Sequence, residues 1–172
     1  MNVGSETNSC QKTDRLPASP GHDPCTELEQ RAGIWRFSAD RLGQRFSDGR
    51  RFATGLRNAM GLAVQPGNET LYAAVHGRDQ LSDNWGFSNE VNANSPGEEL
   101  VRVRSGDDLG WPYCYYSNQY KKKVLAPEYG GDGTSVQERP LRRLSRLLES
   151  IPASSGRFPG RPRSVRAGRT HR

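Results

Sequence analysis

The sequence has few of the residues that build a large hydrophobic core. Only 33% of its 172 residues are hydrophobic, and 26% are charged. Because ordering the backbone costs roughly 1–2 kcal/mol per residue, a chain this polar has little apolar burial to offset that cost. No run approaches the 18 or so apolar residues of a membrane-spanning helix. The first residues also lack the basic and apolar segments of a signal peptide, so we expect neither feature here.

Cysteine is scarce, since the chain has three and one of them must stay unpaired within a single molecule. Cys10 and Cys25 flank a polar loop rich in proline. A disulfide between them would contribute roughly 3 kcal/mol by loop-closure entropy and would indicate an oxidising compartment. The sequence alone leaves paired and unpaired cysteines open. His22 lies near Cys25, but without a second close pair of ligands the spacing does not favour zinc.

Lysine is absent from the last 39 residues, where arginine is abundant. From Thr134 onward there are ten arginines and two acids, Glu138 and Glu149, so this segment has a net charge of +8, whereas the whole chain has +6. The first 133 residues therefore carry −2. We divide the chain into a body, residues 1–133, and an arginine-rich low-complexity tail, residues 134–172. The tail is predicted to be disordered, or partly helical over residues 139–151. Arginine without lysine also fits a frameshift product of G+C-rich DNA.

The body shows no convincing helix and instead alternates short strand patterns with turns. Strands are expected at the end of residues 1–4 and at 32–37, 51–54, 60–64, 70–75 and 99–103. Pro66 and Gly67 predict the turn of a hairpin. Residues 5–31 and 76–97 are predicted to be long polar loops. Strands of this length predict an all-β sandwich, barrel or propeller.

Three segments could carry chemistry, although each has an ordinary structural interpretation. Gly55–Ala63 places Arg57 and Asn58 on a turn before an apolar strand, where such a pair is usually exposed or caps the turn. His76-Gly77-Arg78-Asp79 follows another apolar strand, and backbone carbonyls there could ligate calcium. Taken alone, His76 is weak support for a general base. The aromatic segment 110–116 is usually a packing feature.

In this order, the three segments resemble the soluble quinoprotein glucose/sorbosone dehydrogenase family. The matching pattern is Gly-Leu-Arg-Asn-x-x-Gly-Leu-Ala, then Gly-Arg-Asp after a strand, then Gly-x-x-x-Gly-Trp-Pro-Tyr. Val3-Gly4-Ser5 and Ala32-Gly33-Ile34-Trp35 also fit. The resemblance covers about residues 1–130. It implies a six-bladed β-propeller, of which this chain would form about three blades. A non-catalytic propeller segment that pairs with a complementary segment of another chain to complete the ring is a further interpretation.

The resemblance also implies an activity, two cofactors and a location. Family members oxidise a sugar by hydride transfer to pyrroloquinoline quinone (PQQ), with calcium beside the quinone, in the periplasm or outside the cell. Arg57 and Asn58 fall on the cofactor-binding Arg-Asn pair, and Gly77 and Arg78 fall where backbone carbonyls bind calcium. The family's catalytic histidine precedes the Val-Gly-Ser strand. We therefore expect a truncated dehydrogenase that is inactive by itself and has no catalytic residue in this chain.

The arginine-rich tail suggests a second possible function, nucleic-acid binding. Ten arginines could contact the phosphates of a nucleic acid, with the body acting as a non-catalytic binding module. Phe158 is the only Phe, Tyr or Trp residue of the tail that could stack on bases, and the body is mildly acidic. Nucleic-acid binding is therefore the alternative to the dehydrogenase hypothesis.

Overall fold

Short antiparallel strands form most of the regular structure. The structure is a computed structural model, and it describes residues 1–135, which belong to one compact unit. Strands β1 (Asn2–Val3), β2 (Gly33–Arg36) and β3 (Arg50–Thr54) form the first sheet. Strands β4 (Ala59–Val64), β5 (Leu71–Val75) and β6 (Glu99–Val103) form the second. Strands β7 (Cys114–Ser117) and β8 (Lys122–Leu125) form the third.

The predicted strands agree with this sheet structure. β1 to β6 each fall on a segment that the sequence had marked as a strand, by alternation of apolar and polar residues in β1, β2 and β6 and by an apolar run or turn spacing in the others. β4 and β5 pair antiparallel from Ala59↔Val75 to Val64↔Leu71, so the predicted hairpin at Pro66 and Gly67 is confirmed. The described residues are mostly β-sheet with few helices, in three small antiparallel sheets.

One expectation about the body was wrong, and a strand in the aromatic segment was missed. The predicted loop 76–97 contains two short helices, α1 (Leu81–Trp85) and α2 (Asn89–Asn94). They are too short for a helical period to show, and burial of Leu81 holds α1 in place. The aromatic segment 113–116 contributes strand β7, whose residues are nearly all buried and so show no alternation. Single-turn 3-10 helices lie at Thr26–Glu29, Phe46–Asp48 and Pro127–Tyr129.

Two apolar clusters hold the elements together. The larger one joins the first two sheets and contains Ile34, Ala53, Leu56, Ala59, Ala73, Val75 and Val103. Leu56 is fully buried in it, and this side chain anchors the turn between β3 and β4. The smaller cluster packs α1 against the third sheet through Leu81, Tyr115, Val124 and Ala126. The helical excursion between β5 and β6 is thus fixed to the body by burial.

The long loop 5–31 is held by a covalent crosslink. Cys10 and Cys25 form a disulfide with their Cα atoms 6.0 Å apart, which settles the pairing that the sequence left open. His22 N–H donates to the Cys10 carbonyl at 2.9 Å, and Gln11 bridges to Gly21. Cys114 is a buried free thiol whose pKa burial raises to about 11. Burial raises the pKa because it penalises the thiolate.

The arginine-rich tail lies almost entirely outside the described residues. The predicted helical segment 139–151, the disorder of the tail and the nucleic-acid alternative therefore stay predictions. Within residues 1–135, no helix has the length and apolar character needed to cross a bilayer.

Candidate functional site

A polar cavity of about 300 Å³ lies where the predicted cofactor-binding pair meets the first loop. Four stretches line it: residues 4–8, Asp14 with Arg15, Arg57 with Asn58, and His76 with Asp79 and Gln80. We call this space the polar cavity. Three of the sequence motifs meet here, because Gly4 and Ser5, Arg57 and Asn58, and His76 come from separate segments of the chain.

The turn that carries Arg57 and Asn58 depends on Gly55. This residue has φ of +74°, and a Cβ there would lie 2.2 Å from Asp108 Oδ1 and 2.6 Å from the Gly110 nitrogen. Only glycine fits such a position without strain. Leu56 follows into the core, so the next two residues turn toward the cavity. Burial raises the pKa of Asp108, although its Oδ1 accepts a hydrogen bond from Gly110 N–H at 2.9 Å.

Arg57 is committed to two partners on the loop after β5. Its Nη1 donates to the Gly77 carbonyl at 2.9 Å, and its Nη2 lies 3.1 Å from both carboxylate oxygens of Asp79. Burial lowers the pKa of Arg57 from its ordinary value, and the charge of Asp79 opposes that shift. The Arg57 Nε is buried without a partner among the described residues.

Asn58 differs from Arg57 because its side chain is exposed. Its backbone carbonyl accepts a hydrogen bond from His76 N–H at 2.8 Å, which ties the turn to the end of β5. Gly4 lies close to its amide, since a Cβ at Gly4 would be 3.1 Å from Asn58 Oδ1. The amide is thus positioned by backbone neighbours and exposed at the cavity.

Of the two backbone carbonyls predicted to bind calcium, that of Gly77 has another partner. The Gly77 carbonyl faces the Arg57 guanidinium, and its N–H donates to Glu98 Oε2 at 3.1 Å. The Arg78 side chain is directed away from the polar cavity, into a buried ion pair with Glu128 at 2.6 Å. A calcium ion at the Gly77 oxygen would have to sit beside a guanidinium, which like charge opposes. The calcium prediction is untested and does not fit this arrangement of Arg57.

The described residues also offer no side-chain cluster for a metal. Within residues 1–135, no group of three or more histidine, cysteine, aspartate or glutamate side chains is placed to hold an ion. The charged side chains of the cavity are mixed, with Glu6, Asp14 and Asp79 against Arg15 and Arg57. This lining suits a ligand that offers both donors and acceptors.

Glu98 is a site residue that the sequence reasoning missed. Its Oε1 lies 2.9 Å from His76 Nδ1. The two residues flank the last pair of the β5–β6 ladder, Val75↔Glu99. Both strands were predicted from the sequence but their pairing was not, so His76 could not be placed opposite Glu98.

The aromatic segment contacts the first loop, which lines the polar cavity. Trp111 is buried, and its Nε1 donates to the Asn8 carbonyl at 2.9 Å. The Asn8 side chain in turn donates to the Asp79 carbonyl at 3.0 Å and lies 3.2 Å from Gln80 Oε1. The Trp-Pro motif therefore positions the loop that forms one wall, which agrees with its interpretation as a packing feature.

The fold and site define a β-sheet protein with a polar cavity where two sheets and a disulfide-closed loop meet. A family model described as TrAA12-like matches residues 21–131, well over half of the chain. The chain belongs to this TrAA12-like family. No curated protein and no solved structure gives a match.

Proposed function

We propose that the chain belongs to a PQQ-dependent sugar dehydrogenase, with the polar cavity as its cofactor and substrate site. The observation that carries this proposal is the convergence of motifs. Val3-Gly4-Ser5, Gly-Leu-Arg-Asn and His-Gly-Arg-Asp are far apart in the sequence but contribute residues to one cavity. Motifs with unrelated structural roles would have no reason to meet in this way.

The contacts of Arg57 and Asn58 support the predicted cofactor contact. PQQ carries carboxylates and quinone oxygens, and guanidinium and amide groups hydrogen-bond both. The exposed amide of Asn58 is the donor that such a ligand would meet first. When bound, the quinone would supply the hydride acceptor for oxidation of the sugar. A ligand carboxylate would compete with Asp79 for Arg57.

The sheets and the disulfide support the remaining parts of the proposal. Three small sheets follow one another along the chain, as successive propeller blades would. A six-bladed propeller would then need further blades from a complementary segment. The Cys10–Cys25 disulfide favours an oxidising compartment, in line with a periplasmic or secreted protein.

The experiment is a titration of the purified chain with PQQ, followed by quenching of tryptophan fluorescence. We expect Arg57→Ala to weaken binding about 10- to 100-fold, since a charge-assisted hydrogen bond contributes roughly 1.5–3 kcal/mol. We expect Asp79→Asn to strengthen binding, because it frees the guanidinium for the ligand. Arg102→Ala removes an exposed arginine on β6 and is the matched control.

Opposite responses of the Arg57 and Asp79 variants distinguish this site from non-specific attraction of an anion. Weakening of equal size in the Arg57 and Arg102 variants would instead indicate non-specific binding. Absence of saturable binding to the intact chain would refute the cofactor assignment.

A further inference from the structure

We propose that β4 is a self-association surface, through which two copies of this chain pair as antiparallel strands with Ala63 on the two-fold axis. β4 is an edge of the second sheet, because within residues 1–135 it shares a sheet ladder with β5 alone. The proposal goes beyond the cofactor assignment and does not depend on it.

The exposure of β4 is unusual for an apolar strand. Every residue of the strand after Ala59 is exposed, and none of the six residues is charged. Met60 is 73% exposed and Val64 is 60% exposed. Natural edge strands are commonly protected by charged residues, proline or a covering element. The edge strands β3 and β6 carry arginines, whereas β4 carries no such residue and so offers an unprotected edge.

The hydrogen-bond register directs the backbone groups of Leu62 and Val64 toward the free edge. Gln65 N–H donates to the Thr70 carbonyl at 2.8 Å, which marks a hydrogen-bonded pair between the two strands. Such pairs alternate with non-hydrogen-bonded pairs along an antiparallel ladder, so Ala63 also directs its backbone groups at β5. Leu62 and Val64 lie between these positions, and their N–H and C=O groups therefore point away from β5.

The free edge is bounded at both ends. Near its start, the Ala59 carbonyl already accepts a hydrogen bond from Asn2 Nδ2 at 3.0 Å. The register shift of the strand also lies there, between Ala59 and Gly61, and leaves the later residues regular. At the other end, Pro66 has no N–H to donate. The open segment is thus about residues 61–65, and the same segment of a second copy has the same length.

The open segment is complementary to itself. With Ala63 on the axis, Leu62 of each copy lies opposite Val64 of the other, and each of these two pairs can exchange two N–H···O=C bonds. Ala63 then faces Ala63 of the second copy as a non-hydrogen-bonded pair, with Cα atoms about 4.5 Å apart. Every backbone group that points outward from the regular part of the strand finds a partner in this register.

A second copy would also extend the hydrophobic core. Leu62 lies opposite Ala73 and Val64 lies opposite Leu71, and both of these β5 residues belong to the larger apolar cluster or pack against it. Leu62 nevertheless stays 39% exposed, because the cluster ends at β4. In the paired strands, Leu62 and Val64 of the two copies cover each other, which removes apolar surface from water.

Charge does not oppose this pairing. On the opposite face of the sheet, Ala63 is followed by Tyr72 on β5 and Arg102 on β6. The two copies of Arg102 would be five strand spacings apart, about 24 Å. That distance exceeds the screening length of about 8 Å at physiological ionic strength. Because β4 offers no charge to a charged strand, the uncharged β4 of a second copy is the occupant that fits it.

The first test is disulfide crosslinking of the intact chain, read on a non-reducing gel after mild oxidation. Ala63→Cys should give a covalent dimer, since Cα atoms about 4.5 Å apart lie within the range of disulfides. Ala74→Cys is the matched control, an exposed alanine on the same face of the neighbouring strand, and should stay a single chain. Leu62→Cys should also stay a single chain, because it lies opposite Val64. No crosslink at Ala63, or equal crosslinking of Ala63→Cys and Ala74→Cys, would overturn the proposal.

The second test measures the mass of the intact chain by sedimentation equilibrium over a range of concentrations. The mass should rise from 19.1 kDa to twice that value and no further, because the pairing uses both free edges and closes. Leu62→Lys should raise the concentration at half association by at least about 10-fold, since each dimer would bury two ammonium groups against apolar side chains. Leu100→Lys, at a 78% exposed position on β6, should not change it.

Three results of this second test would refute the assignment of β4. They are a single-chain mass at every concentration, assemblies larger than a dimer, and equal association of Leu62→Lys and the wild type. Circular dichroism checks the fold of each variant. If Leu62→Lys does not fold, the crosslink at Ala63 decides the outcome, because that substitution adds one sulfur atom at an exposed position.

Discussion

Reduction of the Cys10–Cys25 disulfide should destabilise the protein by a predictable amount. The two cysteines are 15 positions apart, and closure of a loop of that length contributes about 3 kcal/mol through the entropy of the unfolded chain. With a urea dependence of roughly 2 kcal/mol per molar, the midpoint of unfolding should fall by about 1.5 M. Both sulfurs lie in buried residues, so the crosslink should resist reductant until the loop opens.

Urea unfolding with and without reductant, followed by tryptophan fluorescence, measures this difference. A Cys10→Ala/Cys25→Ala variant is the control, and its midpoint should not respond to reductant. Thiol titration of the unfolded, unreduced chain should find one free thiol, Cys114. Equal midpoints with and without reductant would refute the reasoning, as would three free thiols in the unreduced chain.

Three further predictions concern buried or half-buried positions. In thermal melts, Gly55→Ala should lower the free energy of unfolding by more than about 2 kcal/mol, because the position has positive φ and the added Cβ would clash with Asp108 and Gly110. Gly67→Ala is the control: its position also has positive φ but open space around it, so the loss should be only about 1 kcal/mol. Glu128→Ala should cost about 3–5 kcal/mol, since it leaves the buried Arg78 guanidinium unpaired, and replacing both residues with apolar ones should recover most of the loss in urea titrations. Asp108→Asn should raise Tm at pH 7, because burial raises the pKa of Asp108 and ionisation therefore costs stability above that pKa. Its advantage should shrink as the pH falls toward the ordinary value of 3.8, and equal Tm values at pH 7 would contradict the argument.

The sheets could be predicted where one face of each strand is buried and the other is not. β6 alternates in burial for this reason, and the positions of β2, β5 and β6 are close to those expected. β7 and β8 were missed because the pattern that reveals a half-buried strand is absent from β7. α1 depends on tertiary burial of Leu81, which no local pattern reports. α2 had a readable signal, since the Ser88 hydroxyl accepts a hydrogen bond from Val91 N–H as a helix cap.

The site could be predicted in part. Arg57 and Asn58 were placed at a turn before an apolar strand, and the structure puts them at the polar cavity. Asp79 could not be named as the partner of Arg57, because that contact spans two loops whose paths are set by packing. Arg78 shows the same limit, since its partner Glu128 lies 50 residues away in the sequence.

The register of β5 and β6 has a consequence for how this protein can change. The spacing of His76 and Glu98 is set by the backbone hydrogen bonds between β5 and β6, and not by the segment of chain that connects these two residues. Two contacts nevertheless tie the part of that segment within about residues 86–96 to the rest of the body: Asn92 Oδ1 accepts a hydrogen bond from Leu81 N–H at 2.7 Å, and the hydroxyls of Ser95 and Ser117 lie 2.9 Å apart. Exchange of this part should therefore be tolerated only where these two contacts are kept.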